Sequence, residues 1–298
     1  METSTNFTLT EHQLESFLGD IFYPIYLGFI LQQMLLGIIA GLTCLYYSRF
    51  CNKDPKFSLY IVGALFILNM LEGGMNFDIM SRTLIIEDGQ SYFINLQTWT
   101  LWAQPSATAV IVFLVHLFFL ERCWNLAKKS RVVLLVAPLV LLSLGFGLAF
   151  SISLFNAKPV SLLVGTIPMA GQWLLATFMT DMIIWVVLIL TILAFGYANQ
   201  PKAVRLFNVR VGLQSTTAFI CAGLVVLSTL VLFRLMPGTT YYLVCQFSIS
   251  RVHTITMLAT LLGRRSVAQT DGSSASTSLS MQEQNMGITI VTLVEGVV

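Results

Sequence analysis

The chain has 298 residues, of which 56% are hydrophobic and only 10% charged, against about 25% charged in a typical soluble domain. So few charges cannot cover a soluble surface, which excludes a freely soluble enzyme, and the high hydrophobicity excludes disorder over most of the chain. A net charge of +2 is too small to point to nucleic acid. The composition is that of an integral membrane protein whose first partner is the lipid bilayer.

The expected fold class is all-α: a polytopic bundle of seven transmembrane helices, N-terminus outside and C-terminus in the cytosol. A helical span needs roughly 20 mostly apolar residues to cross about 30 Å of hydrocarbon. Seven stretches meet that requirement, near residues 23–47, 57–80, 99–123, 132–155, 173–197, 210–236 and 239–262. Residues 1–20 read as an outer tail with Glu2, Glu11, Glu15 and Asp20 and no Lys or Arg. No basic region precedes the first stretch, so that stretch itself is expected to direct insertion. Residues 159–172 hold Pro159, Gly165, Pro168 and Gly171 and read as an outer loop. The transmembrane domain covers 21–265 and a flexible cytosolic tail covers 266–298, with Ser, Thr and Gln concentrated in 269–286. The apolar segment 288–298 is too short to span, and nothing in the sequence explains it.

Orientation follows from the sixteen basic residues. Arg49, Lys53 and Lys56 follow the first span; Arg122, Lys128, Lys129 and Arg131 follow the third. Lys202, Arg205 and Arg210 follow the fifth, and Arg264 and Arg265 open the tail. The opposite side holds only Arg82, Lys158 and Arg234, while Arg251 lies within a span. Asn6, in the single N-x-[ST] match, falls on the outer side as a glycosylation acceptor must. Tyr23, Tyr26, Trp99, Trp102, Trp173, Tyr241 and Tyr242 are expected at outer interfaces, and Tyr46, Tyr47, Tyr60, Trp124 and Tyr197 at inner ones. Trp185, at mid-span, reads as packing.

Candidate chemistry is sparse. Cys44, Cys51 and Cys123 fall at cytosolic ends, where thiols stay reduced, and Cys221 and Cys245 read as buried small hydrophobes. His12, His116 and His253 are the only histidines, and no helix carries an HxxxH or HExxH pair. No metal site and no cofactor are therefore expected. All six lysines lie in loops, which leaves no amine within a span for a retinal Schiff base.

The intramembrane charges are the sharpest signal, because a charge at mid-bilayer costs about 2.5–3.5 kcal/mol on insertion scales. Asp181 lies about 12 Å below Trp173, Arg251 about 15 Å below Tyr241, and Glu72 about 22 Å above Phe57, at 1.5 Å per residue. Glu72, Asp181 and Arg251 are expected to share a polar cluster open to the outside, with Asp181 and Arg251 as its ion pair. On the last span, Gln246, Ser250, His253, Met257 or Thr256, and Thr260 share one face, while Arg251 is about 200° from His253. The His253 face is the better candidate for a watery interior, His253 itself reads as a packed, hydrogen-bonded histidine rather than a ligand, and Arg251 is expected to meet a neighbouring helix. His116 is expected to hydrogen-bond to another helix. Gly37 and Gly41 form a GxxxG pair that suits close packing within the bundle, or a homodimer face. Gly73-Gly74 and Pro105 read as bends.

The stretch FFLERCWNLA, with Phe118, Phe119, Arg122 and Trp124, resembles the FFxxRxWxLS signature of a fungal, chiefly basidiomycete, seven-helix membrane family of unknown function. Tyr46, Tyr47, Phe50 and Asp54 are similar to that family's exit motif after span one. RVHTITMLATLLGR is similar to its terminal motif, with Arg251, Leu258, Ala259 and Arg264 in place, and Ile255 and Leu262 where asparagines are usual. The resemblance covers about residues 18–265. It implies the seven-helix fold and a fungal origin, and no activity.

The sequence points away from an enzyme and towards receptor-like sensing of a small ligand from the outer side, at a plasma membrane or endomembrane. A transporter or channel for a small solute or ion is the alternative. A structural protein whose tail binds a cytosolic partner is the third class.

Overall fold

The computed structural model describes residues 11–51, 54, 56–84, 99–126, 135–156, 163–196, 202–236 and 240–263. In a bilayer, backbone N–H and C=O groups can be satisfied only within a helix or a closed barrel. These residues take the first solution: among them there is no strand. The elements are α1 (Glu11–Phe50), α2 (Lys56–Leu84), α3 (Trp99–Leu126), α4 (Ala137–Asn156), α5 (Leu163–Gly196), α6 (Lys202–Leu235), α7 (Tyr242–Gln246) and α8 (249–263). Among the described residues, five helical stretches are long and apolar enough to cross a membrane: Tyr23–Phe50, Lys56–Ser81, Trp99–Trp124, Ala137–Asn156 and Pro168–Thr191. That is the make-up of a multi-pass integral membrane protein.

Several boundaries differ from the sequence reading. α1 starts at Glu11 and runs for 40 residues, about 60 Å at 1.5 Å per residue, so half of the expected tail 1–20 is helical. Its Glu and Leu residues are good helix formers, and apolarity alone does not mark where such a helix begins. α5 begins at Leu163, inside the expected outer loop, and carries Pro168 within it. A proline this near the start of a helix sacrifices a single backbone bond, which the apolar run on either side outweighs. α2 and α3 continue through Gly73-Gly74 and Pro105 without interruption.

The last expected span divides into α7 and α8 at a turn over Phe247 and Ser248. There the Phe247 N–H donates to the Leu243 carbonyl at 3.0 Å, whereas the Ser248 N–H donates to the Cys245 carbonyl at 3.0 Å, a tighter step. α1 presses on this junction through Gly28: a Cβ there would lie 3.0 Å from both the Phe247 ring and the Val244 Cα. Glycine is required at that point for close approach.

Chain neighbours from α1 to α6 pack pairwise, α7 touches α6 and α1, and α3 also touches α5. No residue of α8 is exposed, although Val252, Ile255, Ala259 and Leu262 along one face are only half-buried, so α8 is largely enclosed by the bundle. The main core joins Ile39, Leu65, Ile111, Phe119, Phe219 and Met257 from five different helices. The α3–α4–α5 contact is tight at Gly147, where a Cβ would meet the Ala109 Cβ at 2.5 Å and the Trp173 indole nitrogen at 2.9 Å. Trp173 is therefore buried and stacked on Phe150, not at an interface as expected. Tyr46 is buried too, while Tyr23, Tyr26, Tyr60, Trp99 and Tyr241 are exposed. Trp185 packs half-buried against the core.

Candidate functional site

Two clusters of buried charge lie on opposite faces of α8. The first is built on Glu72 of α2. Thr108 Oγ1 donates to Glu72 Oε1 at 2.5 Å and Gln104 Nε2 approaches the same oxygen at 3.4 Å, both from α3. Ser250 Oγ donates to Oε2 at 2.6 Å, and Arg251 Nη1 lies 3.1 Å from Oε2. Arg251 Nη1 also donates to Asn69 Oδ1, one turn along α2 from Glu72. Asn69 Nδ2 in turn donates to Thr254 Oγ1 at 2.9 Å. Glu72 and Arg251 are each 0% exposed, and unlike charges this close without water are held by Coulomb attraction that only good geometry makes sufficient. A Cβ on Gly73 would meet Arg251 Nη2 at an ordinary 3.6 Å; the tighter neighbour is the Leu36 side chain of α1 at 3.1 Å.

The second cluster joins α3, α5 and α8. His116 Nε2 lies 2.7 Å from Asp181 Oδ1 and His253 Nε2 lies 3.3 Å from the same oxygen, all three side chains 0% exposed. His253 Nδ1 lies 2.8 Å from the Ile249 carbonyl, which can only accept, so Nδ1 carries a proton. The two imidazoles meet edge to face, 5.7 Å between centroids. Phe219 of α6 walls both, at 6.2 and 6.5 Å. Phe119 packs on Phe219 at 4.5 Å, and Phe118 and Phe119 both lie in the core beside this cluster. Arg122 and Trp124 are half-buried near the end of α3.

The expected Asp181–Arg251 pair is not formed: Arg251 belongs to Glu72, and Asp181 belongs to the two histidines. The 200° between Arg251 and His253 does send them to different helices, as their spacing requires. The expected watery interior along the His253 face is instead closed protein, because α3 and α5 cover it. Ser250 leaves that stripe to bind Glu72. Gln246 is buried at the end of α7, and the described contacts tie it to neither cluster. His116 does bond to another helix, α5.

The expectation of no metal site rested on the lack of a ligand pair along one helix. That ground fails, because three helices bring His116, Asp181 and His253 together with one ligand atom each, all within 4.8 Å of one another. Chain separations of 65 and 72 residues hid the trio. The Glu72 partners carried a readable signal that was missed: Thr100, Gln104 and Thr108 recur every four residues on one face of α3.

That stripe continues outward from Glu72 to Thr100, whose Oγ1 donates to Asp78 Oδ2 at 2.9 Å. The Asp78–Thr100 pair edges a groove of about 550 Å³ between α2 and α3, otherwise lined by apolar groups such as Ile67, Met70, Gly74 and Trp99. Beside it on α2, Asn76 donates to Gln32 of α1 at 3.0 Å.

Gly37 and Gly41 are open: a Cβ on either would meet nothing within 4 Å. Among the described residues they do not serve packing inside the bundle, which corrects that reading. The five cysteines are free thiols, of which Cys123 is buried, Cys245 half-buried and Cys221 exposed, the last against expectation because it lies on the outer face of α6. Asn6 and the tail 266–298 lie outside the described residues.

The fold and the two clusters together define an all-helical integral membrane protein with a closed, charged core. No protein-family model, curated protein or solved structure matches the chain.

Proposed function

We propose that the chain is a seven-span membrane protein, N-terminus outside, that acts as a receptor-like sensor of a small ligand. The observation that carries this reading is the α3 stripe Thr100–Gln104–Thr108, which runs from the edge of the α2–α3 groove to the buried Glu72 carboxylate. A largely apolar ligand with one hydrogen-bonding group suits the groove and competes there for Asp78 or Thr100. Any shift of α3 against α2 then changes the contacts of Glu72, which also holds α8. A closed charge network with two arrangements is the kind of bistable element that a ligand can bias. α7 and α8 together reach about 33 Å at 1.5 Å per residue, enough for a seventh crossing, and the twelve basic residues on one side support the orientation.

A transporter is the second reading, favoured by the acidic groups Asp78, Glu72 and Asp181 within apolar helices, since intramembrane carboxylates also build proton relays. The test is a thermal-shift screen of purified protein against small amphipathic metabolites, followed by hydrogen exchange and solute flux in proteoliposomes. A sensor should show a hit that Thr100→Val abolishes, with altered exchange at residues 122–131 and 202–210 and no flux. Solute flux that stops in Glu72→Gln would overturn the sensor and establish the transporter.

A further inference from the structure

We infer that His116, Asp181 and His253 form a binding site for one divalent transition-metal ion of the zinc class. The inference goes beyond sensing and stands whether or not the protein is a sensor.

Geometry is the first argument. Two imidazole nitrogens and one carboxylate oxygen from three helices lie within 4.8 Å of one another, close enough to share one ion. With metal–ligand distances of about 2.0–2.2 Å, ligand atoms of a tetrahedral site stand about 3.3–3.6 Å apart. His253 Nε2 and Asp181 Oδ1 already stand 3.3 Å apart. The 2.7 Å between His116 Nε2 and Asp181 Oδ1 must open by about 0.6 Å, within reach of a side-chain rotation.

The polarity of the hydrogen bonds is the second. His253 Nδ1 is committed as a donor to the Ile249 carbonyl, so in neutral His253 the bare Nε2 faces a carboxylate oxygen, acceptor against acceptor. A positive species between them resolves the conflict. A metal-ligating histidine characteristically donates its other ring N–H in this way, fixing tautomer and ring orientation.

The third is unused capacity in a fully buried place. Asp181 Oδ2 and His116 Nδ1 have no hydrogen-bond partner among the described residues, although buried polar atoms are nearly always paired. Asp181 Oδ2 is available as a second carboxylate ligand. Imidazole nitrogens select zinc-class ions over magnesium or calcium, which demand oxygen ligands. The Phe219 and Phe119 rings beside the site make a dry shell, in which a divalent charge strengthens its bonds to the carboxylate.

Three histidines in the whole chain make a test that survives misfolding variants. Protein carrying a histidine-free affinity tag and His12→Ala has only His116 and His253 left. It should bind one Co²⁺ per chain with the strong visible bands of four-coordinate cobalt, displaceable by Zn²⁺ and not by Mg²⁺. X-ray absorption of the zinc form should count two imidazoles per ion. His116→Ala, His253→Ala and Asp181→Asn should each weaken Co²⁺ binding by roughly 100-fold or more, since even indirect supports of a metal site are worth 10–100-fold. No binding by folded His12→Ala protein, or fewer than two imidazoles per ion, overturns the inference. Binding unchanged in His116→Ala means an adventitious ion only and overturns it equally. Where the triad variants do not fold, the imidazole count on His12→Ala protein decides.

Discussion

Glu72→Gln keeps the shape of the side chain and removes its charge, which isolates the electrostatic part of the first cluster. Arg251 then stays buried at 0% exposure with only neutral amides, that of Asn69 and the introduced glutamine, beside it. Removing one partner of a buried pair costs about 3–5 kcal/mol, most of it the stranded charge. The hydrogen bonds around Glu72 are a smaller matter: inside a bilayer each averages about 0.6 kcal/mol and does not exceed about 1.7. Ser250→Ala and Thr108→Val should therefore cost well under half as much as Glu72→Gln. Because the loss comes from an unpaired guanidinium, Glu72→Gln with Arg251→Met should be more stable than Glu72→Gln alone. We expect a coupling of about 2–3 kcal/mol in the double-mutant cycle. Reversible unfolding in mixed micelles, followed by helical circular dichroism, measures the wild type and all these variants on one scale. A Glu72→Gln loss no greater than that of Ser250→Ala, or a coupling below about 0.5 kcal/mol, would refute the argument that charge, and not hydrogen bonding, dominates this cluster.

Three further outcomes follow from the packing and the pairing. Asp181→Asn and Arg251→Gln should be additive to within about 0.5 kcal/mol in the same unfolding assay, as sites without shared partners are; rescue of one by the other would restore the rejected pair. Gly147→Ala should destabilise by about 1–3 kcal/mol, because its Cβ would sit 2.5 Å from Ala109 with the Trp173 indole behind it, an overpacked core. Gly37→Ala and Gly41→Ala should leave monomer stability unchanged or slightly raised, since nothing lies within 4 Å and alanine favours helix. Cross-linking in proteoliposomes then shows whether either change lowers self-association.

Much of the fold was legible in the sequence because a bilayer is a demanding solvent. Uncharged runs such as 137–156 can be nothing but helix there, and that inference needs no tertiary information. Where apolarity is not the governing term, the reading faltered. Glu11 to Asp20 is polar yet helical, and Leu163 to Gly171 is helical in spite of Pro168, since helix continuation depends on local hydrogen bonding that composition does not report. The break between α7 and α8 follows from α1 pressing through Gly28, a contact between residues more than two hundred positions apart. Tyr46 shows the same limit: an aromatic at an expected interface is buried, and its hydroxyl donates to Asp54 at 2.9 Å.

By itself the sequence determined that this protein lives in a membrane, that it is helical, and that Glu72, Asp181, Arg251 and His253 are costly residues needing partners. Those conclusions rest on terms that depend on one residue or one short window: transfer cost, helical period and basic-residue bias. Which charges pair was decided only by the tertiary structure. Similar depth and opposite sign made Asp181 and Arg251 look like partners, but depth fixes one coordinate and leaves the azimuth of each helix free. Rotation of α8 within the bundle turns Arg251 to α2 and His253 to α5 and α3. It is that rotation, set by the packing of a largely enclosed helix, that separates a charge network around Glu72 from a metal-ready triad around Asp181.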